Sequence, residues 1–221
     1  IILFTNNYYG HFKIKNDEKL YNQFDDLKIK IISPKISINR FFNSGNEYEV
    51  IQELINLSNP QYNQKTIFVF PEGAFAGLNF DILKNYKEIF LEMYSKNHNI
   101  VLGINTERNK TYNSLLVLDN QLNLLSEYNK IKLVPFGEFL PLEKLLKKFG
   151  LKKITQGYES FSAGENRRII KINYENFSFI PLICYEIIYS GQVSSASHNT
   201  DFIINISEDG WFGNSIGPHQ H

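Results

Sequence analysis

The chain has 221 residues, of which 43% are hydrophobic, and this suits one large α/β domain or two small ones. Its 23 basic and 23 acidic residues balance, which argues against a polyanion-binding surface and so against nucleic acid as a partner. The only cysteine, Cys184, excludes an internal disulfide, and no apolar run approaches the roughly 18–20 residues that span a bilayer.

Both ends of the chain predict a fragment of a longer protein. Residues 1–25 are polar, rich in Asn, Lys and Tyr, and show no sustained period, so 1–27 is interpreted as a connector. The opening run at 1–4 is too short for a signal peptide and fits a strand end or the stub of a transmembrane helix. The other end stops inside a motif-like stretch at 217–221. No repeat or low-complexity linker divides residues 28–221, so we expect one domain there.

Strand-like and helix-like patterns alternate from residue 28 onward. The apolar runs at 28–33, 66–70 and 100–104 predict strands, and the uniformly apolar run at 66–70 is typical of a strand buried on both faces. Apolar residues at helical spacing predict helices over 47–57 and 80–97.

The second half of the chain predicts two strand pairs, a helix and a last buried strand. In chain order these are a hairpin of 114–118 with 122–128, a pair of 168–172 with 177–184, a helix over 186–197 and a strand over 201–206. Mixed strands with interspersed helices indicate a layered α/β sandwich.

Three reactive residues lie at or just past the carboxyl ends of predicted strands. They are Glu72, Lys130 and Cys184. Functional side chains collect at the carboxyl ends of strands in open α/β sheets, so the three are candidates for one site. Taken singly, each also fits an ordinary role: a small core residue for the cysteine and solvated surface charges for the other two.

Acyl transfer through a thioester would use all three residue types. It needs a thiolate, a carboxylate that takes the thiol proton, and a cation or amide that holds the oxyanion. An ammonium group at Lys130 would serve both the thiolate of Cys184 and the oxyanion. A histidine could replace the carboxylate as base, although none follows a predicted core strand; the histidines are His11, His98, His198, His219 and His221.

Several ordered motifs resemble the nitrilase superfamily of carbon–nitrogen hydrolases. They are FPEG at 70–73, YNK at 128–130, LVPFGE at 133–138 and ICYE at 183–186. The longer strings at 128–142 and 206–221, with WFG at 211–213 and SIGP at 215–218, resemble its apolipoprotein N-acyltransferase branch. The resemblance runs from about residue 28 to the last residue. It implies a nitrilase-like αββα sandwich that is truncated in its C-terminal part.

The resemblance also implies roles for individual residues. Glu72 would be the general base, Lys130 the oxyanion stabiliser and Cys184 the nucleophile. Four further residues would support them: Glu138 by orienting Lys130 or moving protons, Tyr185 through its backbone N–H in the oxyanion hole and its ring near the acyl chain, Glu186 as structural support, and Trp211 near the substrate entrance.

One departure from the family pattern lies near these residues. Glu208-Asp209-Gly210 stands where the family typically reads Asn-Asp-Ala, which exchanges a neutral amide for a charge. His219 and His221 suggest a metal pair, but two ligands without a nearby carboxylate or cysteine make a weak site. The resemblance implies neither a metal nor a cofactor.

The implied activity is a two-step transfer of an acyl chain. A phospholipid would be the acyl donor and the N-terminal amine of an apolipoprotein the acceptor, with a thioester on Cys184 between them. The implied location is the bacterial inner membrane, with the catalytic domain facing the periplasm and membrane segments outside this chain. Two alternatives stay open: a soluble nitrilase-type amidase with the same three residues, and an inactive module that binds lipoproteins.

Overall fold

Two β-sheets form the centre of the computed structural model, which describes residues 2–17, 26–34, 47–75, 77–142, 160–172, 177–189, 193, 200–213 and 215–220. The strands are β1 (Lys28–Ile31), β2 (Thr66–Val69), β3 (His98–Glu107), β4 (Thr111–Leu118), β5 (Leu124–Asn129), β6 (Ile170–Ile172), β7 (Phe177–Ile183) and β8 (Phe202–Ile206). The helices are α1 (Ile2–Asp17), α2 (Glu47–Ser58), α3 (Phe80–Leu83), α4 (Lys87–Met93) and α5 (Gly217–Gln220).

The first sheet has the order β1-β2-β3-β4-β5, and the second has the order β6-β7-β8. In the first sheet β1, β2 and β3 run parallel, and β3, β4 and β5 follow as antiparallel neighbours. In the second sheet β6 is antiparallel to β7 and β8 is parallel to it. The two predicted strand pairs are therefore confirmed, and parallel strands bring several carboxyl ends to one edge.

Alternating side chains of the first sheet supply two separate cores. In β3, Ile100 and Leu102 pack with α2 and α4 on one face, whereas Val101 points into the space between the two sheets. Side chains of both sheets fill that second core, among them Val117 and Phe179. This follows from the period of two along a strand, and it explains the continuous apolar runs within the central strands. Helices, sheet and sheet therefore form successive layers.

The helix predicted over 47–57 is confirmed as α2, but the helix predicted over 80–97 is divided and shorter. The Asn79 side chain caps α3 by accepting a hydrogen bond from Ile82 N at 2.9 Å, and a 3₁₀ turn over Lys84–Tyr86 leads into α4. The segment ends at Met93 because Tyr94 is extended, with φ −105° and ψ 140°. The spacing of apolar residues in the sequence does not predict that the helical segment ends at Met93.

Three further expectations differ from the structure. Residues 2–17 form helix α1, whose side chains at 4–9 are exposed, so no buried stripe gave them a helical period. The helix expected over 186–197 differs at its start, where Cys184–Ile188 form a 3₁₀ turn. Val193 is helical, and residues 190–192 and 194–199 lie outside the described part. Strand β8 is only partly buried, because Phe202 and Ile203 are 38% and 50% exposed at the sheet edge. None of the described helices has the length and apolar character to cross a membrane.

Candidate active site

Lys130 is the centre of a buried polar cluster. It follows β5 directly, and its side chain is 1% exposed. Its Nζ lies 2.9 Å from Glu138 Oε1 and 3.4 Å from Glu72 Oε1. Burial alone would lower the pKa of Lys130, but the two carboxylates outweigh that and hold the pKa above its ordinary value. The ammonium group therefore keeps its charge in the interior.

Asn113, which the sequence did not single out, binds the same two carboxylates. Its Nδ2 donates to Glu72 Oε1 at 2.7 Å and to Glu138 Oε1 at 2.8 Å. Its backbone oxygen accepts from Lys130 N at 2.9 Å, so β4 fixes both the carboxylates and the cation between them. Glu138 Oε2 accepts from Val134 N at 2.8 Å, which ties the loop after Lys130 to the cluster.

Cys184 lies at a strained turn beside this cluster. It follows β7 directly and has φ +54°, a left-handed conformation that is costly for a residue with a side chain. The thiol is partly buried and interacts electrostatically with Glu72 and Lys130. Burial and the charge of Glu72 raise the pKa of Cys184 to about 11, although Lys130 and the neighbouring Ser207 hydroxyl oppose the rise. At neutral pH the resting residue is therefore a thiol.

Glu186 ties the turn that begins at Cys184 to β5 and to the segment that follows it. Its side chain is fully buried, and its carboxylate accepts hydrogen bonds from both sides of the site. The donors are Ile183 N at 3.0 Å, Tyr128 Oη at 2.8 Å, Ile131 N at 3.0 Å, Lys132 N at 3.1 Å and Arg167 Nη2 at 3.2 Å. The expected support role thus has a geometric basis: Glu186 sets the distance between the Cys184 and Lys130 backbones.

Two predicted site residues remain, Tyr185 and Trp211. The Tyr185 ring is 46% exposed and packs edge-on to Tyr189, and its backbone follows Cys184 in the 3₁₀ turn. The Trp211 backbone lies in the 3₁₀ turn Asp209–Phe212, but its side chain lies outside the described part. Its role near the entrance, like the oxyanion role of Tyr185 N–H, stays a prediction.

The histidines do not join this cluster in the described structure. His98 is buried away from it, where Ser95 N donates to Nδ1 and Nε2 contacts Gln61 O. His11 and His219 are exposed, whereas His198 and His221 lie outside the described residues. Among described side chains, no group of three His, Cys, Asp or Glu residues is placed to hold a metal ion.

Glu72→Gln should lower the pKa of Cys184 while it slows catalysis. The amide removes the negative charge that raises the thiol pKa, so the midpoint of iodoacetamide alkylation at Cys184 should fall below pH 11. Because Glu72 is the expected general base, its replacement should still slow acyl-enzyme formation by about 10²–10⁴-fold. Alkylation followed by mass spectrometry across pH checks this. An upward shift of the midpoint would contradict the placement of Glu72 beside the thiol.

Gly103→Ala should displace Glu72 from its position. A Cβ at residue 103 would lie 2.6 Å from Glu72 Cα and 2.8 Å from Ile206 Cδ1, so the catalytic backbone has to move. We expect a loss of about 1–3 kcal/mol in the free energy of unfolding and a marked loss of activity. Urea unfolding and acyl-enzyme formation check this, with Gly10→Ala as control because nothing lies within 4 Å of a Cβ there. Equal behaviour of the two variants would contradict the close approach.

Solved structures support the layered fold. An amidase from Nesterenkonia sp. matches with TM-score 0.52 at 13% identity, over 81% of this chain and 64% of the amidase. A glutamine-dependent NAD+ synthetase from Acinetobacter baumannii matches with TM-score 0.50 at 22% identity, over 75% of this chain and 30% of that chain. At these identities the likeness shows the nitrilase-like fold and nothing about substrate.

Sequence relatives carry a more specific name. The chain is 33% identical to an apolipoprotein N-acyltransferase from Bradyrhizobium diazoefficiens, over 88% of this chain and 38% of the relative. It is 30% identical to one from Rickettsia typhi, over 96% of this chain and 42% of the relative. It therefore spans about two fifths of these relatives. The family model described as carbon-nitrogen hydrolase matches residues 49–221, so the chain belongs to the carbon–nitrogen hydrolase family.

Proposed function

We propose that this chain is the catalytic domain of an N-acyltransferase that moves an acyl chain from a phospholipid to the N-terminal amine of a diacylglyceryl-cysteine lipoprotein. The observation that carries the proposal is the buried Lys130 between Glu72 and Glu138, beside a cysteine at a strained turn. The relatives named apolipoprotein N-acyltransferase support the choice of substrates.

In the first step the sulfur of Cys184 attacks the ester carbonyl of the donor. Glu72 takes the thiol proton as the S–C bond forms, because the pKa of about 11 leaves little thiolate at neutral pH. Lys130 and the Tyr185 N–H stabilise the oxyanion. When the C–O ester bond breaks, Glu72 returns the proton to the leaving alkoxide, and a lysophospholipid departs.

In the second step an amine attacks the thioester. The N–C bond forms, Glu72 takes a proton from the nitrogen, and the C–S bond breaks as the sulfur regains that proton. Glu138 and Asn113 hold Lys130 and Glu72 in place through both steps. An amide product and the free thiol result.

Exposed apolar side chains around Cys184 favour a lipid donor. Tyr185, Ile187, Ile188 and Tyr189 are 39–52% exposed on the turn that begins with the nucleophile. Phe136 is 45% exposed on the loop after Lys130. Lys132 Nζ lies 5.8 Å from the Tyr189 ring centroid, which places the two segments side by side. Such a rim suits an acyl chain that arrives from a membrane, in keeping with the proposed position on the periplasmic face of the inner membrane.

The fate of the acyl group tests the proposal. The intact protein is incubated with a phospholipid and a peptide that begins with diacylglyceryl-cysteine, and products are identified by mass spectrometry. We expect an N-acylated peptide and a lysophospholipid. Release of free fatty acid alone, or hydrolysis of simple amides, would favour an amidase instead. A folded protein that binds the peptide without reaction would favour a binding module.

A further inference from the structure

A cavity of about 300 Å³ opens at the carboxyl ends of β1, β2 and β8. Its walls include Pro34, Pro71, Asn205, Ser207, Glu208 and Asp209. Pro71 directly precedes Glu72, and Ser207 is near enough to Cys184 to lower the pKa of its thiol. The Ser207 hydroxyl is buried and has no hydrogen-bond partner among the described residues, so it is available to a bound group. A group bound in this cavity would therefore lie next to both the base and the nucleophile.

The cavity is acidic and contains a buried carboxylate. Glu208 is 8% exposed, and its Oε1 accepts from Gly210 N at 2.6 Å. Burial and the nearby charge of Glu72 raise the pKa of Glu208, although the Gly210 N–H opposes this. Among the described residues, no Lys or Arg lines the cavity or pairs with Glu208. A cation in the cavity would relieve this uncompensated charge.

We propose that Glu208 forms a subsite for the ammonium group of the incoming acceptor. This rests on the proposed function, because the acceptor of an N-acyltransferase is an α-amine, which is largely protonated near pH 7 with a pKa of about 7.7–8.0. Glu208 binds the ammonium and takes one proton, which leaves a neutral amine. The amine then attacks the Cys184 thioester, Glu72 takes the second proton and passes it to the departing sulfur. Glu208 finally releases its proton to water.

Glu208→Gln separates ammonium recognition from support of the turn. The glutamine keeps an oxygen that accepts from Gly210 N but loses the charge. Cys184 of the intact protein is first acylated with an activated nitrophenyl ester, so that this test does not need the phospholipid reaction. The acyl-enzyme is then treated with the cationic peptide amine or with hydroxylamine, which is neutral at pH 7. Glu107→Gln, an exposed carboxylate outside the cavity, is the matched control.

We expect Glu208→Gln to slow deacylation by the peptide amine by about 10- to 100-fold and to leave deacylation by hydroxylamine unchanged. The control variant should match the original protein with both nucleophiles. Equal losses with the two nucleophiles, or no loss with the amine, would overturn the subsite. Failure of the phospholipid to acylate Cys184, with the nitrophenyl ester still effective, would count against the proposed function and not against the role of Glu208.

Discussion

Lys130→Met should abolish measurable acyl-enzyme formation, with a loss of at least about 10²–10³-fold in rate. The substitution removes the cation that faces the developing oxyanion. It also leaves the carboxylates of Glu72 and Glu138 close together without the cation between them, and their repulsion should displace Glu72 from its position. Because Lys130 lowers the pKa of Cys184, that pKa should rise further above 11.

Rapid-quench measurement of acylated Cys184, with alkylation across pH, checks this prediction. Lys171→Met is a suitable control, because Lys171 is exposed on β6. The opposite shifts of the thiol pKa in Lys130→Met and Glu72→Gln form a paired result that general unfolding would not produce. A Lys130→Met variant with normal acylation would show that the oxyanion is held elsewhere.

Glu186→Ala should be the most destabilising single change near the site. It leaves buried donors without an acceptor, including Tyr128 Oη and Ile183 N. It also leaves the Arg167 guanidinium without its carboxylate partner. Loss of one partner of a buried ion pair costs about 3–5 kcal/mol, which corresponds to a fall in Tm on the order of 10 °C. Because the nucleophile turn loses its anchor, activity should fall even below the new Tm.

Calorimetry and denaturant unfolding of the intact protein check the stability change. Arg167→Met added to Glu186→Ala should recover part of the loss, because it removes the stranded charge. If Glu186→Ala has the same unfolding transition as the original protein, the hydrogen bonds to the Glu186 carboxylate do not stabilise the site. If the double variant is no more stable than Glu186→Ala, the stranded charge is not a major cost.

The central strands could be predicted from sequence because burial on both faces gives each of them a continuous apolar run. The run at 66–70 and strand β2 (Thr66–Val69) agree to within one residue. Helix α1 could not be predicted in this way, since a helix with exposed side chains leaves no apolar period. The end at Met93 depends on the extended backbone of Tyr94, whose hydroxyl is 2.6 Å from Ser58 Oγ, a tertiary contact that local spacing does not encode.

The reactive residues followed from their positions after strands and from the family motifs, which also implied the supporting residues Glu138 and Glu186, but Asn113 could not be predicted in this way. Asn113 is one polar residue in a largely apolar strand, and only the fold shows that it meets Glu72 and Glu138. A usable signal existed at Gly103, because a glycine inside a strand often marks the close approach of another backbone. Here that backbone belongs to Glu72. The proposed role of Glu208 likewise could not be predicted from sequence, because it depends on the burial of this side chain at the cavity.

One measurement tests whether Cys184 carries the acyl group during the reaction. The intact protein is incubated with a phospholipid of defined chains and quenched in acid, and the mass of the peptide that contains Cys184 is measured. We expect a mass increase equal to one acyl chain on Cys184. The increase should disappear on addition of the diacylglyceryl-cysteine peptide and should be absent in Cys184→Ala. A folded protein that forms the N-acyl product without an adduct on Cys184, or with full activity in Cys184→Ala, would contradict this role of Cys184.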